Sequence, residues 1–103
     1  MKEEALNMVI GTICSLEKVE GTDKLFLLKI DAGSNEYQIA TSLASFYTEQ
    51  DLIGQQVPIK IDVEPKKIRG VISNARFIAV MGSNKEPVLL LPQDKVANGA
   101  VVM

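Results

Sequence analysis

Basic residues are concentrated in one stretch of the chain, between Lys60 and Arg76. This stretch carries five basic and two acidic residues, net +3, whereas the rest of the chain carries six basic and eleven acidic residues, net −5. A basic segment on an acidic protein would attract nucleic acid to one face and repel it elsewhere. On charge alone, a solvated turn is the simpler interpretation of Pro65-Lys66-Lys67, because lysines are frequent in exposed loops.

A polar run, Ser73-Asn74-Ala75-Arg76, interrupts an otherwise apolar stretch beside these lysines. Ser, Asn and Arg side chains can contact phosphates, sugars and base edges. The same residues could instead form the outward face of a strand or a bulge at its entry. Aromatic residues for base stacking are few, since there is no Trp and Phe46 and Tyr47 fit the core of a helix. Any RNA recognition would therefore depend on the shape and backbone of a folded RNA.

The composition excludes most catalytic chemistry. With no His and one Cys, the chain cannot form a Ser-His-Asp or Cys-His nucleophile, a Cys/His zinc site or an internal disulfide. Asp62 and Glu64 could form a carboxylate pair, but their alternation with apolar residues favours a solvated strand face. No glycine-rich phosphate loop occurs, and Cys14, in an apolar strand, is expected to be buried and inert. We therefore expect no enzyme activity, no cofactor and no metal.

The elements that must position these residues are mostly short strands. Residues 57–64 show the clearest alternation, with Val57, Ile59, Ile61 and Val63 inward and Pro58 in the outward phase near the strand start. The turn at Ala32-Gly33-Ser34-Asn35 predicts a hairpin between two strand patterns. Further strands are predicted at residues 9–18, 25–31, 36–43, 75–81 and 88–91.

One segment, residues 44–53, has apolar residues closer to helical spacing. Thr48 and Asp51 have the spacing of a capping box, and Gly54 stands where a helix would stop. The pattern predicts a helix of about two turns between the third and fourth strands. Residues 65–70 are too charged for a predicted strand and too short for a helix.

Five or six short strands and one helix in 103 residues predict an all-β fold. The best fit is a five-stranded OB-fold Greek-key barrel with one short helix between strands 3 and 4, forming a single domain over residues 1–103. An immunoglobulin-like sandwich usually has more strands and no such helix, and an SH3-like barrel is usually shorter. No stretch approaches the roughly 20 apolar residues that cross a bilayer, and residues 1–5 do not resemble a signal peptide, so we expect a soluble cytoplasmic protein.

Two segments are distinctive in their order and spacing: Phe46-Tyr47-Thr48-Glu49-Gln50-Asp51-Leu52-Ile53-Gly54 and Pro65-Lys66-Lys67-Ile68-Arg69-Gly70-Val71-Ile72-Ser73. With these as its most specific parts, the chain over residues 9–102 resembles the tRNA-binding OB domain family. This domain occurs alone, in CsaA-type export-related chaperones, and appended to methionyl-tRNA synthetases, the phenylalanyl-tRNA synthetase β chain and synthetase-associated factors. Of the family's Ser-x-Gly-Met pattern only Ser73 is kept, and Arg76 stands in place of the methionine.

The resemblance implies a module that binds tRNA by its structure, without sequence selectivity, and assists an aminoacyl-tRNA synthetase in cis or as a separate subunit. Its partners would be tRNA, a synthetase and a second copy of itself. Phosphate contacts are expected from the basic residues Lys24, Lys29, Lys66, Lys67, Arg69 and Arg76. Neutral hydrogen bonds to the RNA are expected from Gln38, Ser73 and Asn74.

A protein-interaction function is the alternative. A homodimeric, chaperone-like module of the CsaA type would bind polypeptides and bind tRNA weakly or not at all. The acidic balance of the chain favours this interpretation. The apolar tail Ala100-Val101-Val102-Met103 and the run Val88-Leu89-Leu90-Leu91-Pro92 suit a dimer interface, although either could be core.

Overall fold

The computed structural model describes residues 6–103, which form nine strands and one helix. In chain order these are β1 (Met8–Lys18), β2 (Phe26–Asp31), β3 (Glu36–Thr41), α1 (Glu49–Leu52), β4 (Gln56–Lys60), β5 (Lys66–Ile68), β6 (Val71–Ser73), β7 (Arg76–Phe77), β8 (Ala79–Met81) and β9 (Pro87–Leu89).

Five strands form one antiparallel sheet in the order β3-β2-β1-β4-β7. The long strand β1 pairs with β4 through its first half and with β2 through its second half. A β-bulge between Ile13 and Ser15 interrupts the pairing with β2 soon after it begins at Thr12, and such bulges bend a strand and increase its twist. The sheet therefore curls into a nearly closed barrel, and the predicted all-β OB-fold with its helix between the third and fourth strands is confirmed.

Aliphatic side chains fill the barrel. The core face of β2 carries Phe26, Leu28 and Ile30, which alternate with Leu27 and Lys29 on the other face, where Leu27 is also buried. The largest fully buried side chains are Ile13, Leu28, Ile30, Ile39, Leu52, Val57 and Ile59. Burial of this apolar surface is the main favourable term in folding and fixes the strands that carry the polar residues.

The predicted capping box of α1 is confirmed. The Thr48 hydroxyl accepts a hydrogen bond from the Asp51 N–H at 3.3 Å, and the Asp51 carboxylate accepts one from the Thr48 N–H at 2.8 Å. The helix has only four residues, so the expected two turns were wrong. The assignment of Phe46 to the core was also wrong, because this residue lies in the turn before the cap and is 52% exposed. Tyr47 does pack against the core.

Residues 65–70, predicted as neither strand nor helix, contribute to a two-stranded hairpin made of β5 and β6. Ile68 and Val71 are paired, so the turn consists of Arg69 and Gly70 alone. Both have positive φ, 52° and 84°, which is the conformation of a type I′ turn. Charged residues are tolerated in these strands because Lys66 and Lys67 are exposed.

Other predicted strand limits are corrected by backbone pairing. The strand predicted at 57–64 ends at Lys60, and the strand predicted at 75–81 is divided into β7 and β8. Pro58 keeps the phase opposite to the core residues Val57 and Ile59, but it is buried and lies in the middle of β4 rather than at the strand start. It lies opposite Ile10, whose N–H and C=O bond to Ala100 and Gly99 on the other side of β1. No N–H is therefore needed from Pro58 towards β1.

Cys14 was expected to be buried, and this was wrong. It is exposed, because the bulge of β1 leaves it outside the pairing with β2. No helix among residues 6–103 is long and apolar enough to cross a membrane.

Candidate nucleic-acid interface

The hairpin of β5 and β6 carries three of the six residues predicted to contact phosphates. Lys66 and Lys67 are successive residues of β5, so their side chains point to opposite faces of the two-stranded ribbon. Arg69 occupies the turn, where its left-handed backbone is unfavourable for a residue with a Cβ. The ribbon thus presents cations on two faces and at its tip. We call it the basic hairpin, residues 66–73.

The tip of the basic hairpin lies beside the turn that joins β1 to β2. A Cβ atom placed on Gly21 would lie 3.9 Å from Nη1 of Arg69. Lys24 belongs to the same turn, which a hydrogen bond from the Val19 N–H to the Leu25 carbonyl closes at 3.2 Å. Two basic residues 45 positions apart are therefore brought to one end of the barrel.

Lys66 and Arg76 line one cleft between the basic hairpin and the barrel. The cleft has a volume of about 170 Å³, and Ala40 and Thr41 of β3 form part of its wall. Glu64 also lines it and partly offsets the positive charge. Thr41 and Glu64 were not predicted as site residues, because nothing in their local sequence shows that the end of β3 faces the hairpin.

Lys29 lies on the outward face of β2. It is paired with Gln38 of β3, and the neighbours of Lys29 along β2, Leu28 and Ile30, point into the core. Lys29 is therefore on the same outer face as Gln38. Gln38 in turn is hydrogen-bonded to Ile72 in the basic hairpin and to Asn74 directly after it.

Four hydrogen bonds join β3 to residues 72–74. The Gln38 N–H donates to Oδ1 of Asn74 at 2.8 Å, and the Asn74 N–H donates to the Gln38 carbonyl at 2.9 Å. Nε2 of Gln38 donates to the Ile72 carbonyl at 2.7 Å, and the Ala40 N–H donates to Oγ of Ser73 at 3.1 Å. We call these contacts the polar seam. Gln38, Ser73 and Asn74 are thus brought together, and their side-chain groups bond within the chain.

The predicted cations are not neutralised by neighbouring carboxylates. Within residues 6–103 the only salt bridge joins Lys60 and Asp62, with Nζ 2.7 Å from Oδ1. The hydrogen bond from Lys60 lowers the pKa of Asp62, with a smaller contribution from the Asn7 side chain. The six predicted phosphate contacts have no such partner in this part of the chain. We call them the basic surface: Lys24, Lys29, Lys66, Lys67, Arg69 and Arg76.

Lys67 lies outside the cleft that Lys66 and Arg76 line. It is paired with Ile72 across the hairpin, and both residues are exposed.

No group of three His, Cys, Asp or Glu side chains in the described range is placed to hold a metal ion. The chemistry that the described surface offers is attraction of an anion by fixed cations.

A family model described as a tRNA binding domain matches residues 8–101. Among curated proteins, the methionine–tRNA ligase of Methanothrix thermoacetophila is 36% identical over 96 residues, which make up 93% of this chain and 14% of that enzyme. The methionine–tRNA ligase of Borrelia garinii subsp. bavariensis is 35% identical over 98 residues, or 94% of this chain and 13% of that enzyme. The chain thus spans about one seventh of the length of these relatives.

Solved structures show the same fold in separate small proteins. A MetRS-related protein from Pyrococcus horikoshii superimposes with a TM-score of 0.87 at 29% identity, over 93% of this chain and 88% of that one. The chaperone CsaA from Bacillus anthracis superimposes with a TM-score of 0.83 at 27% identity, over 93% and 89% of the two chains. Since the family model covers nearly all of the described residues, the chain belongs to the tRNA-binding domain family.

Proposed function

We propose that this chain is a structure-dependent, sequence-nonspecific tRNA-binding module that acts as an auxiliary to an aminoacyl-tRNA synthetase. The observation that carries the proposal is the basic surface, where six basic side chains from separate segments have no salt bridge within the described range. Unpaired cations are free to replace the counterions of RNA phosphates, which is the main source of nonspecific affinity. The basic surface would bind the tRNA, and the acidic remainder would limit binding elsewhere.

The aromatic side chains favour recognition of backbone and shape. Proteins that bind single strands commonly stack successive bases on a row of aromatic rings. Of the five aromatic residues here, only Phe46 is largely exposed, whereas Phe26 is buried and Tyr37, Tyr47 and Phe77 pack against the core. The surface therefore lacks a stacking row within the described residues. Contacts to phosphates and sugars of a folded RNA fit it better.

The partner enzyme is inferred from the relatives. In the methionine–tRNA ligases a matching segment is part of the synthetase chain itself. A module of this kind would raise the effective concentration of tRNA near a synthetase. We propose that it does so as one domain over residues 1–103, in the cytoplasm, with no catalytic residue of its own.

Nitrocellulose filter binding of total tRNA at two salt concentrations tests the proposal. With about six phosphate contacts, affinity should fall roughly a thousandfold between about 50 and 200 mM salt. Refolded tRNA should compete better than an unstructured RNA of equal length. Absence of retention at the lower salt concentration, or equal competition by the two RNAs, would contradict the proposed function.

A homodimeric, chaperone-like module is the second candidate, and it is favoured by exposed apolar residues. Val88 in β9 and Leu90 and Leu91 directly after it are exposed, and Val101 is 75% exposed at the C-terminal end. Residues of the same tail bond to β1, with the Val102 N–H donating to the Met8 carbonyl at 2.9 Å. Size-exclusion chromatography with and without tRNA measures both properties together. A dimer that binds an unfolded polypeptide but not tRNA would decide for this candidate.

A further inference from the structure

We infer that Gln38, Ser73 and Asn74 are positioning residues, which act on RNA binding by holding the basic hairpin in place through the polar seam. This inference rests on the proposed function for its RNA half. From the sequence, these three neutral side chains are expected to bond directly to RNA, whereas the role inferred here is indirect. The strands β5 and β6 form a sheet of their own, with three residues each, outside the five-stranded sheet. A two-stranded hairpin of this size is marginal in water by itself.

The geometry of the polar seam supports such a role. Strand β3 is the last strand of the main sheet, so the edge facing away from β2 needs hydrogen-bond partners. Asn74 supplies both kinds of partner to Gln38, with its side-chain oxygen acting as the acceptor and its backbone N–H as the donor. A side-chain amide thus takes the place of a strand carbonyl and connects β3 to the end of the hairpin.

Ser73 couples the polar seam to a cation. Its side chain is nearly buried, at 8% exposure, and its hydroxyl accepts from the Ala40 N–H and also lies 3.4 Å from the Ala75 carbonyl. The cross-strand partner of Ser73 is Lys66. Loss of the seam would therefore release Lys66 from the cleft that it lines together with Arg76.

One polar atom of each of these side chains is already engaged. Oδ1 of Asn74, Oγ of Ser73 and Nε2 of Gln38 each hold a backbone group at 3.1 Å or less. RNA contact through these three atoms would compete with the bonds that hold backbone groups at the barrel edge, and loss of such a bond leaves a polar backbone group without its partner. Their effect on RNA binding should consequently depend on the cations of the basic hairpin.

A double-mutant cycle tests this dependence. Asn74→Ala is made in two backgrounds: the native chain, and a triple variant with Lys66→Gln, Lys67→Gln and Arg69→Gln. The tRNA affinity is measured at about 20 mM salt, because at this concentration the remaining three cations of the basic surface retain binding. Gln38→Met serves as a second variant, because it removes the hydrogen bond from Nε2 of Gln38 to the Ile72 carbonyl. Asn35→Ala, in the exposed turn between β2 and β3, is the matched control, because its side chain makes no hydrogen bond in the described structure. Circular dichroism melts establish that each variant is folded at the assay temperature.

We expect Asn74→Ala to lower affinity about fivefold in the native chain and by less than about twofold in the triple variant. Hydrogen exchange of the Gln38 and Ala40 amides in the free protein should become faster in Asn74→Ala and stay unchanged in Asn35→Ala. An equal loss of affinity in both backgrounds, or unchanged exchange, would overturn the inference. Failure of the native chain to bind tRNA would instead refute the proposed function, and the exchange rates would still decide whether the seam holds the hairpin.

Discussion

Neutralising Lys66 and Lys67 together is the sharpest test of the basic surface. Both are exposed, and neither has a carboxylate partner within the described residues, so Gln in their place removes charge without breaking an ion pair. Lys85 and Lys95 provide a matched control. They are exposed, they lie in the turn before β9 and in the segment after it, and they carry the same total charge outside the basic surface. The two double variants therefore have equal net charge and differ only in where the charge is lost.

The magnitude follows from counterion release. Each phosphate contact contributes about 0.7–0.9 to the slope of log K against log salt, so two contacts contribute about 1.4–1.8. If native and variant affinities converge near 1 M salt, Lys66→Gln/Lys67→Gln should bind about 25- to 60-fold more weakly at 0.1 M. This loss corresponds to about 2–2.5 kcal/mol.

Filter binding of tRNA over a series of salt concentrations measures both the loss and the slope. For Lys85→Gln/Lys95→Gln we expect the slope of the native chain and less than about a twofold loss, because screening weakens distant exposed charges. Equal losses in the two double variants would show that net charge, rather than the basic surface, controls binding. An unchanged affinity in Lys66→Gln/Lys67→Gln would show that the hairpin is only a solvated turn.

Three further substitutions test turn geometry, packing and an ion pair. Arg69→Asn should stabilise the fold by about 0.5–1 kcal/mol, because Asn tolerates positive φ better, and it should lower tRNA affinity about fivefold at 0.1 M salt. Arg69→Gln should lower tRNA affinity to the same extent without stabilising the fold. Any gain in tRNA affinity for Arg69→Asn would contradict the phosphate contact. Gly11→Ala should lower the free energy of unfolding by about 1–3 kcal/mol in urea denaturation, since the new Cβ would collide with the Ile30 side chain and lie 3.1 Å from the Asp31 carbonyl oxygen; native stability would contradict this packing. Asp62→Asn should lower the Tm slightly at neutral pH, where the ionised carboxylate stabilises the fold, and the native chain should lose this advantage as the pH falls through the lowered pKa of Asp62. A Tm difference that persists at acid pH would point to a cause other than ionisation.

Strand periodicity, turn residues and helix capping could be predicted from the sequence, because each depends on residues close together in the chain. Alternation located β4, and the spacing of Thr48 and Asp51 located the start of α1. Periodicity was misleading where local and distant demands differ. Phe46 fits a helical pattern but is exposed, since the helix begins after it, and Pro58 fits an outward phase but is buried.

The sequence by itself determined an aliphatic β-barrel of the tRNA-binding family, without His chemistry and with a positive segment on an acidic chain. Only the tertiary structure decided which charges remain free. It leaves the basic surface without a salt bridge within the described residues, brings Arg69 close to Gly21, and engages Ser73 with Ala40 in the polar seam. Partnership between charged and polar groups depends on distances of a few ångströms between residues far apart in the chain, and linear spacing does not record those distances.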